Sequence, residues 1–101
     1  MFVAVLLDGK NGIIGFNVVS IGSLTAALVH PREVFKPAIL ANAAALILAH
    51  NHPSGDPEPS DEDKAITGRL RHAGELLGIR ILDHLVIGDG SFRSFADERL
   101  L

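Results

Sequence analysis

Apolar residues along the chain fall into short runs separated by turn residues, a spacing that favours strands over long helices. Phe2–Leu7 is such a run and ends at Asp8-Gly9, so it predicts a buried strand followed by a turn. Further strands are predicted at residues 13–21, 43–49, 79–87 and 91–95. The stretch over residues 23–30 fits a short strand and irregular chain equally well.

Two segments between these strands have helical patterns. Pro31 suits the first turn of a helix that is predicted over residues 31–42. The apolar side of this helix consists of Val34, Phe35, Ala38 and Ile39. A second helix is predicted over residues 61–77, and Gly78 suits the position after its last residue. Its apolar stripe consists of Ile66, Leu70, Ala73 and Leu77. Strands that alternate with two helices predict an α/β fold, in which a mixed β-sheet is flanked by helices.

Composition fits one small domain. With 101 residues, 48% of them hydrophobic, the chain can fill one core, and a single domain over residues 1–101 is expected. The absence of cysteine excludes disulfide scaffolds, cysteine-ligated metal sites and the zinc nucleobase deaminases. A net charge of −3 argues against a nucleic-acid-binding surface. No signal peptide is visible, and the apolar runs are far shorter than the roughly 20 residues that span a bilayer. A cytoplasmic location without a membrane partner is therefore expected.

The candidate chemistry follows the third predicted strand. His50 and His52 are one residue apart, so both imidazoles leave the same face of an extended chain. Asp63 follows after a loop rich in proline, and a tight loop would return its carboxylate to that face. Two imidazoles and one carboxylate suit zinc and leave a fourth position for water, as in catalytic zinc sites. The sequence therefore predicts a Zn²⁺ site formed by His50, His52 and Asp63.

The same residues also have a structural interpretation. Ser60 and Asp63 are spaced as a capping box at the start of the second helix, where acidic residues are favoured by the helix dipole. Each feature alone is explained by helix capping or by a stiff loop. Their combination with a histidine pair favours the metal site.

A resemblance to a known family makes the prediction of a zinc site more specific. Residues 48–63, LAHNHPSGDPEPSDED, resemble the motif of the JAMM (MPN-plus) metalloproteases, which reads His-x-His, seven residues, Ser, two residues, Asp. Together with HPREVFKPA and LLGIRILDHLVIG, the chain is similar to the bacterial RadC family over nearly its whole length. The resemblance implies a JAB/MPN-like α/β/α sandwich that hydrolyses a peptide or isopeptide bond. It also implies that His50, His52 and Asp63 hold zinc, and that the catalytic Ser60 hydrogen-bonds the oxyanion.

The general base is where the chain departs from that family. The family's glutamate stands in an E-x-F-like context that would fall immediately before Met1. Upstream of the histidines the sequence has only Glu33, whose position in the first turn of a helix is explained by the helix dipole. The chain as given is therefore expected to bind zinc and to hydrolyse poorly. The alternative is a non-catalytic zinc-binding interaction module, associated by its family name with DNA repair.

Other interpretations concern the remaining polar residues. A metal-dependent nuclease of the HNH class is disfavoured, because its three residues are spread along the chain and Asn51 points away from both neighbouring histidines. His30 is expected near the start of a helix and His72 in solvent. His84 is expected to be a strand histidine satisfied by backbone groups, with a position behind the metal ligands as the alternative. Neither the peptide or protein substrate nor the oligomeric state follows from the sequence.

Overall fold

The chain forms a five-stranded mixed sheet and two helices in a computed structural model that describes residues 1–21 and 29–101. The strands are β1 (Phe2–Leu7), β2 (Ile13–Ser20), β3 (Ala45–Asn51), β4 (Arg80–Ile87) and β5 (Phe92–Ser94). The helices are α1 (Pro31–Leu40) and α2 (Asp61–Leu77). The predicted α/β fold with a mixed sheet is confirmed. The stretch over residues 23–30 lies outside the described residues except for Val29, which is buried, and His30 at the start of α1.

The order of the strands places β3 at the centre of the sheet. The order is β2-β1-β3-β4-β5, and the pairing is antiparallel except between β3 and β4, which are parallel. A parallel pair needs a crossover connection, and α2 provides it between β3 and β4. In the resulting register, His50 of β3 lies opposite Phe2 of β1 on one side and Val86 of β4 on the other. The histidines therefore lie beside the start of β1 and the end of β4.

Both helices pack on one face of the sheet. Alternate residues of β1, namely Phe2, Ala4 and Leu6, share one buried cluster with Phe35 of α1 and with apolar residues of α2. In the described residues the two helices and the sheet thus enclose one core. The opposite face of the sheet is partly open, and Phe16 on the edge strand β2 is 70% exposed. None of the helices in the described ranges is long and apolar enough to cross a membrane.

The buried face of α2 starts earlier than the apolar pattern predicts. Its buried residues are Asp63, Ile66, Thr67, Leu70 and Gly74. The buried stripe runs from Asp63 to Gly74 and does not include the last turn of the helix, where Leu77 is 49% exposed. Leu77 is therefore a member of the predicted apolar stripe that the core does not bury. On α1, which ends at Leu40 rather than residue 42, Ile39 is likewise 54% exposed, and Ile39, Leu40 and Leu77 line an apolar surface cleft.

Gly74 lets α2 pack closely against the chain that leads into β4. A Cβ atom at this position would lie 2.3 Å from the backbone oxygen of Ile79 and 3.3 Å from Cζ of Phe35. The first distance is far inside van der Waals contact and involves backbone, so it cannot be relieved by a side-chain rotation. Gly68, on the exposed side of the same helix, has open space where its Cβ would be.

We expect opposite effects from replacing these two glycines. Gly74→Ala should lower the free energy of unfolding by about 1–3 kcal/mol, because the added methyl group forces the backbone apart. Gly68→Ala should raise it by about 0.5–1 kcal/mol, because alanine has the higher helix propensity. Urea denaturation followed by circular dichroism measures both values. A Gly74→Ala protein as stable as Gly68→Ala would contradict this account of the packing.

Candidate metal centre

The two histidines lie at the end of the central strand. His50 is within β3 and only 3% exposed, and its ring stacks on Phe2 with ring centroids 5.8 Å apart. His52 follows β3 directly, and its backbone N–H donates to the carbonyl oxygen of Ile87, 3.1 Å away. Residues i and i+2 of extended chain point to the same side. Both imidazoles therefore face the layer that contains α2, as the spacing predicts.

The loop after His52 is held against the end of β4. The backbone N–H of Asp89 donates to the carbonyl oxygen of Gly55 at 2.9 Å. A Cβ at Gly88 would lie 2.3 Å from that same oxygen, so the close approach requires glycine there. These contacts hold the loop against the end of β4 and the turn that follows it. Ser60 and Asp63 lie beyond the loop, at the start of α2.

Asp63 is oriented by a capping box. The backbone N–H of Ser60 donates to Oδ2 of Asp63 at 2.8 Å, and the backbone N–H of Asp63 donates to Oγ of Ser60 at 3.0 Å. The predicted capping box is thus confirmed. It does not compete with the metal interpretation, because the same contacts turn the carboxylate towards the histidines.

The carboxylate of Asp63 faces both imidazoles. Its Oδ1 lies 2.9 Å from Nε2 of His50, and its Oδ2 lies 2.8 Å from Nε2 of His52. One ligand atom from each of the three residues lies within 4.8 Å of the others, a grouping that could hold a metal ion. The structure therefore brings together the three residues predicted from the sequence as ligands.

The donor atoms fit a metal. Nδ1 of His52 lies 2.7 Å from the carbonyl oxygen of Asp56, which can only accept, so Nδ1 carries a hydrogen. Its Nε2 lies in hydrogen-bond contact with Oδ2 of Asp63 at 2.8 Å, and it would give up the hydrogen of that contact to bind a metal. Among the described residues, Nε2 of His50 is buried and has no hydrogen-bond partner, because its contact with Asp63 lacks hydrogen-bond geometry. Two imidazole nitrogens and a carboxylate oxygen are ligands that zinc accepts.

Asp63 stays ionised although it is buried. Burial alone would raise the pKa of its carboxyl group. The short contact with His50 and the backbone N–H of Ser60 outweigh burial and hold the pKa of Asp63 well below its usual range. An ionised carboxylate that faces two imidazoles is suited to a cation at this position.

His84 lies behind His50, in contrast to the favoured interpretation of the sequence. It is fully buried, and its Nε2 lies 2.7 Å from Nδ1 of His50, while its Nδ1 lies 2.5 Å from Oγ1 of Thr67. The prediction that backbone groups satisfy its ring is therefore wrong, and the alternative position is observed. Thr67 was not anticipated. The parallel pairing, in which His84 lies opposite Leu48 two residues before His50, could have indicated the contact had the strand order been known.

The other polar residues lie outside the cluster. The hydroxyl-bearing Ser60 is exposed beside Asp63. Glu33 is exposed in the first turn of α1, where it lines a cleft with residues of β2, and it is not part of the metal-type group. Asn51 points away from the histidines and its Oδ1 accepts from the amino group of Met1. His72 is exposed, as predicted.

A mixed sheet with a crossover helix, and a His-His-Asp group between its central strand and that helix, is consistent with a JAB-type α/β domain. The chain belongs to the family of RadC-like JAB domains, whose model matches residues 1–100. It is 61% identical over 100 residues to UPF0758 protein GSU0386 of Geobacter sulfurreducens and 58% identical over 97 residues to a UPF0758 protein of Methanosarcina acetivorans. These matches cover 99% and 96% of this chain, and 44% and 42% of the relatives. The chain thus spans less than half the length of these curated relatives.

The burial of His84 predicts a pH dependence of stability in the metal-free protein. Burial, together with the neighbouring His50, lowers the pKa of His84 from 6.5 to about 3. Between these pH values the unfolded chain binds a proton at this residue that the folded chain does not. The free energy of unfolding should therefore fall with falling pH from pH 6.5 to about 3, by about 1.4 kcal/mol per pH unit from this group.

The matched variant for this measurement is His84→Gln, which keeps a polar side chain of similar reach but does not titrate. Urea denaturation of both proteins in the presence of a chelator, across this pH range, gives the two slopes. We expect the free energy of unfolding to fall more steeply with falling pH in the wild type than in His84→Gln, by the contribution of one proton. Equal slopes would show that His84 is protonated in the folded protein.

Proposed function

We propose that this chain is the metal-binding part of a zinc-dependent metallopeptidase or isopeptidase of the JAMM type. The observation that carries the proposal is the convergence of two imidazole Nε2 atoms on one buried carboxylate, at 2.9 Å and 2.8 Å. Membership of the RadC-like JAB domain family supports the same class of chemistry. The net charge of −3 favours a peptide or protein substrate over nucleic acid.

In this proposal His50, His52 and Asp63 hold Zn²⁺. Three protein ligands leave one position for water or substrate, which is the arrangement of catalytic rather than structural zinc. A bound zinc would lower the pKa of a water molecule towards about 7 and polarise the scissile carbonyl. The chain contributes the orientation of the ligands, since the capping box and the backbone contact of His52 hold them in place before any metal arrives.

Ser60 is suited to stabilise negative charge on the substrate. Its Oγ accepts the backbone N–H of Asp63, which leaves the hydroxyl hydrogen free to donate to another group. Ser60 is exposed while Asp63 beside it is buried, so a substrate carbonyl that approaches the metal would meet this hydroxyl. A donor directed at a developing oxyanion contributes on the order of 10²–10³ to the rate.

The start of β1 is the position for a general base. Phe2 pairs with His50 in antiparallel register, so a residue added immediately before Met1 would lie opposite His52. Side chains alternate along a strand, and that added residue would point to the same face as Phe2 and the histidines. A glutamate there, as the E-x-F-like context of the family implies, could accept a proton at the metal. Glu33, outside the cluster, is less suited to this role.

The first test of this proposal is the metal content. We expect the purified protein to bind about one Zn²⁺ per chain, and His52→Ala to weaken binding more than about 100-fold, because loss of a ligand exceeds the 10–100-fold effect of losing a supporting residue. His72→Ala, at an exposed histidine away from the cluster, is the matched control and should bind as tightly as wild type. Isothermal titration calorimetry gives the affinities. Equal affinity in the two variants would refute the ligand assignment.

The second test separates the two roles of Ser60. Ser60→Ala should lower the free energy of unfolding by about 1 kcal/mol through loss of the N-cap. In a chain extended at its N-terminus by Glu, the same change should also lower peptide or isopeptide hydrolysis on the order of 10²–10³-fold. Ser60→Thr keeps a hydroxyl that can both cap and donate, and it should retain most of the activity.

The extended chain also tests the general base. We expect it to hydrolyse peptide bonds much faster than the chain that starts at Met1, because a proton acceptor beside the metal contributes typically 10²–10⁴. Equal zinc-dependent activity in the two forms would mean that Glu33 or solvent takes the proton. Zinc binding without hydrolysis in either form, over varied peptide substrates, would favour a non-catalytic interaction module.

A further inference from the structure

A chain of hydrogen bonds runs from the far side of His50 back to the residue that faces it. Nδ1 of His50 lies 2.7 Å from Nε2 of His84, and Nδ1 of His84 lies 2.5 Å from Oγ1 of Thr67. The hydroxyl of Thr67 donates to the backbone oxygen of Asp63 at 2.7 Å. The path therefore links one candidate ligand to another through two buried side chains on different elements, Thr67 on α2 and His84 on β4.

The hydrogens along this path can be counted. Thr67 has one hydroxyl hydrogen, and the carbonyl oxygen of Asp63 can only accept it. Oγ1 of Thr67 must then accept from Nδ1–H of His84. A neutral imidazole has one N–H, so Nε2 of His84 is left as an acceptor. The remaining donor is Nδ1–H of His50, and a neutral His50 then carries no hydrogen on Nε2.

We propose that Thr67 and His84 are positioning residues that fix His50 as the Nδ1–H tautomer, with the lone pair of Nε2 directed at Asp63, where a metal would bind. Metal-binding histidines usually donate their other N–H to a carboxylate, a backbone carbonyl or water, which fixes tautomer and orientation. Here a neutral imidazole supported by a hydroxyl takes that place. The relevance of this Thr67–His84–His50 relay to catalysis rests on the proposed function, whereas the tautomer itself does not.

The opposite proton arrangement is the alternative to be tested. In it Thr67 donates to Nδ1 of His84, His84 donates to His50, and Nε2 of His50 carries the hydrogen. That hydrogen would face Oδ1 of Asp63 at 2.9 Å without the alignment of a hydrogen bond, because Nε2 of His50 is buried and has no hydrogen-bond partner among the described residues. It would also turn the hydroxyl of Thr67 away from the carbonyl oxygen of Asp63, to which it now donates.

Aromatic rings enclose the relay. Phe95 stacks on His84 with ring centroids 4.8 Å apart, and Phe2 makes a T-shaped contact with the same ring, with centroids 5.5 Å apart. Both phenylalanines are buried. An apolar enclosure disfavours a charged imidazole and excludes water that could replace a partner. The relay therefore has a defined set of donors and acceptors.

The tautomer can be measured directly in the metal-free wild-type protein. ¹⁵N chemical shifts and long-range ¹H–¹⁵N correlations distinguish the two neutral forms of each histidine ring. We expect His50 in the Nδ1–H form at a pH where its ring is neutral. His50 in the Nε2–H form would overturn the proposal, whatever the protein does with metal.

Thr67→Val and Thr67→Ser form the matched pair of variants. Valine keeps the shape of threonine but cannot accept from His84, so the His50 tautomer should shift towards Nε2–H and Zn²⁺ affinity should fall by about 10–100-fold. Serine keeps the hydroxyl and should retain both the tautomer and the affinity. A Thr67→Val protein with unchanged affinity, or with lower affinity but an unchanged tautomer, would overturn the proposal. If the wild type binds no zinc, the proposed function fails, and the spectra of the metal-free protein still decide on the relay.

Discussion

The carboxylate of Asp63 joins the three parts of the molecule that form the candidate site. Through Oδ2 it accepts the backbone N–H of Ser60 and so begins α2, and the same carboxylate faces the two histidines at and just after the end of β3. The helix start, the loop and the central strand are thus held by one side chain. Because a charged group so buried is unfavourable without partners, the position of each part depends on the others.

Local signals along the chain predicted much of this arrangement. The bounds of β1 and α2, the capping box at Ser60 and the turn at Gly78 all rest on residues close in sequence, and the structure agrees with them. β3 begins and ends two residues later than the strand predicted over residues 43–49, because that prediction followed the apolar run alone. In the structure His50 is paired on both sides, so neighbouring strands extend β3 past its apolar run.

What could not be predicted depends on contacts between distant segments. Periodicity alone predicts the apolar side of a helix but not how far the neighbouring elements cover it, so Leu77 and Ile39 belong to apolar sides that the core does not fully bury. In the same way the environment of His84 depends on β4 lying parallel beside β3, with Thr67 of α2 above both. No pattern of neighbouring residues contains that information.

The parallel pairing of β3 with β4 has a consequence for how the site assembles during folding. His52 and Asp63 are 11 residues apart and need only a short loop to meet, whereas His50 and His84 are 34 residues apart and meet only after the crossover through α2 is complete. Closing the longer loop has the greater entropic cost, and such non-local contacts form slowly. A nascent chain can therefore bring the three candidate ligands, which lie within residues 50–63, close together before β4 pairs with β3, and only the finished sheet places His84 behind His50.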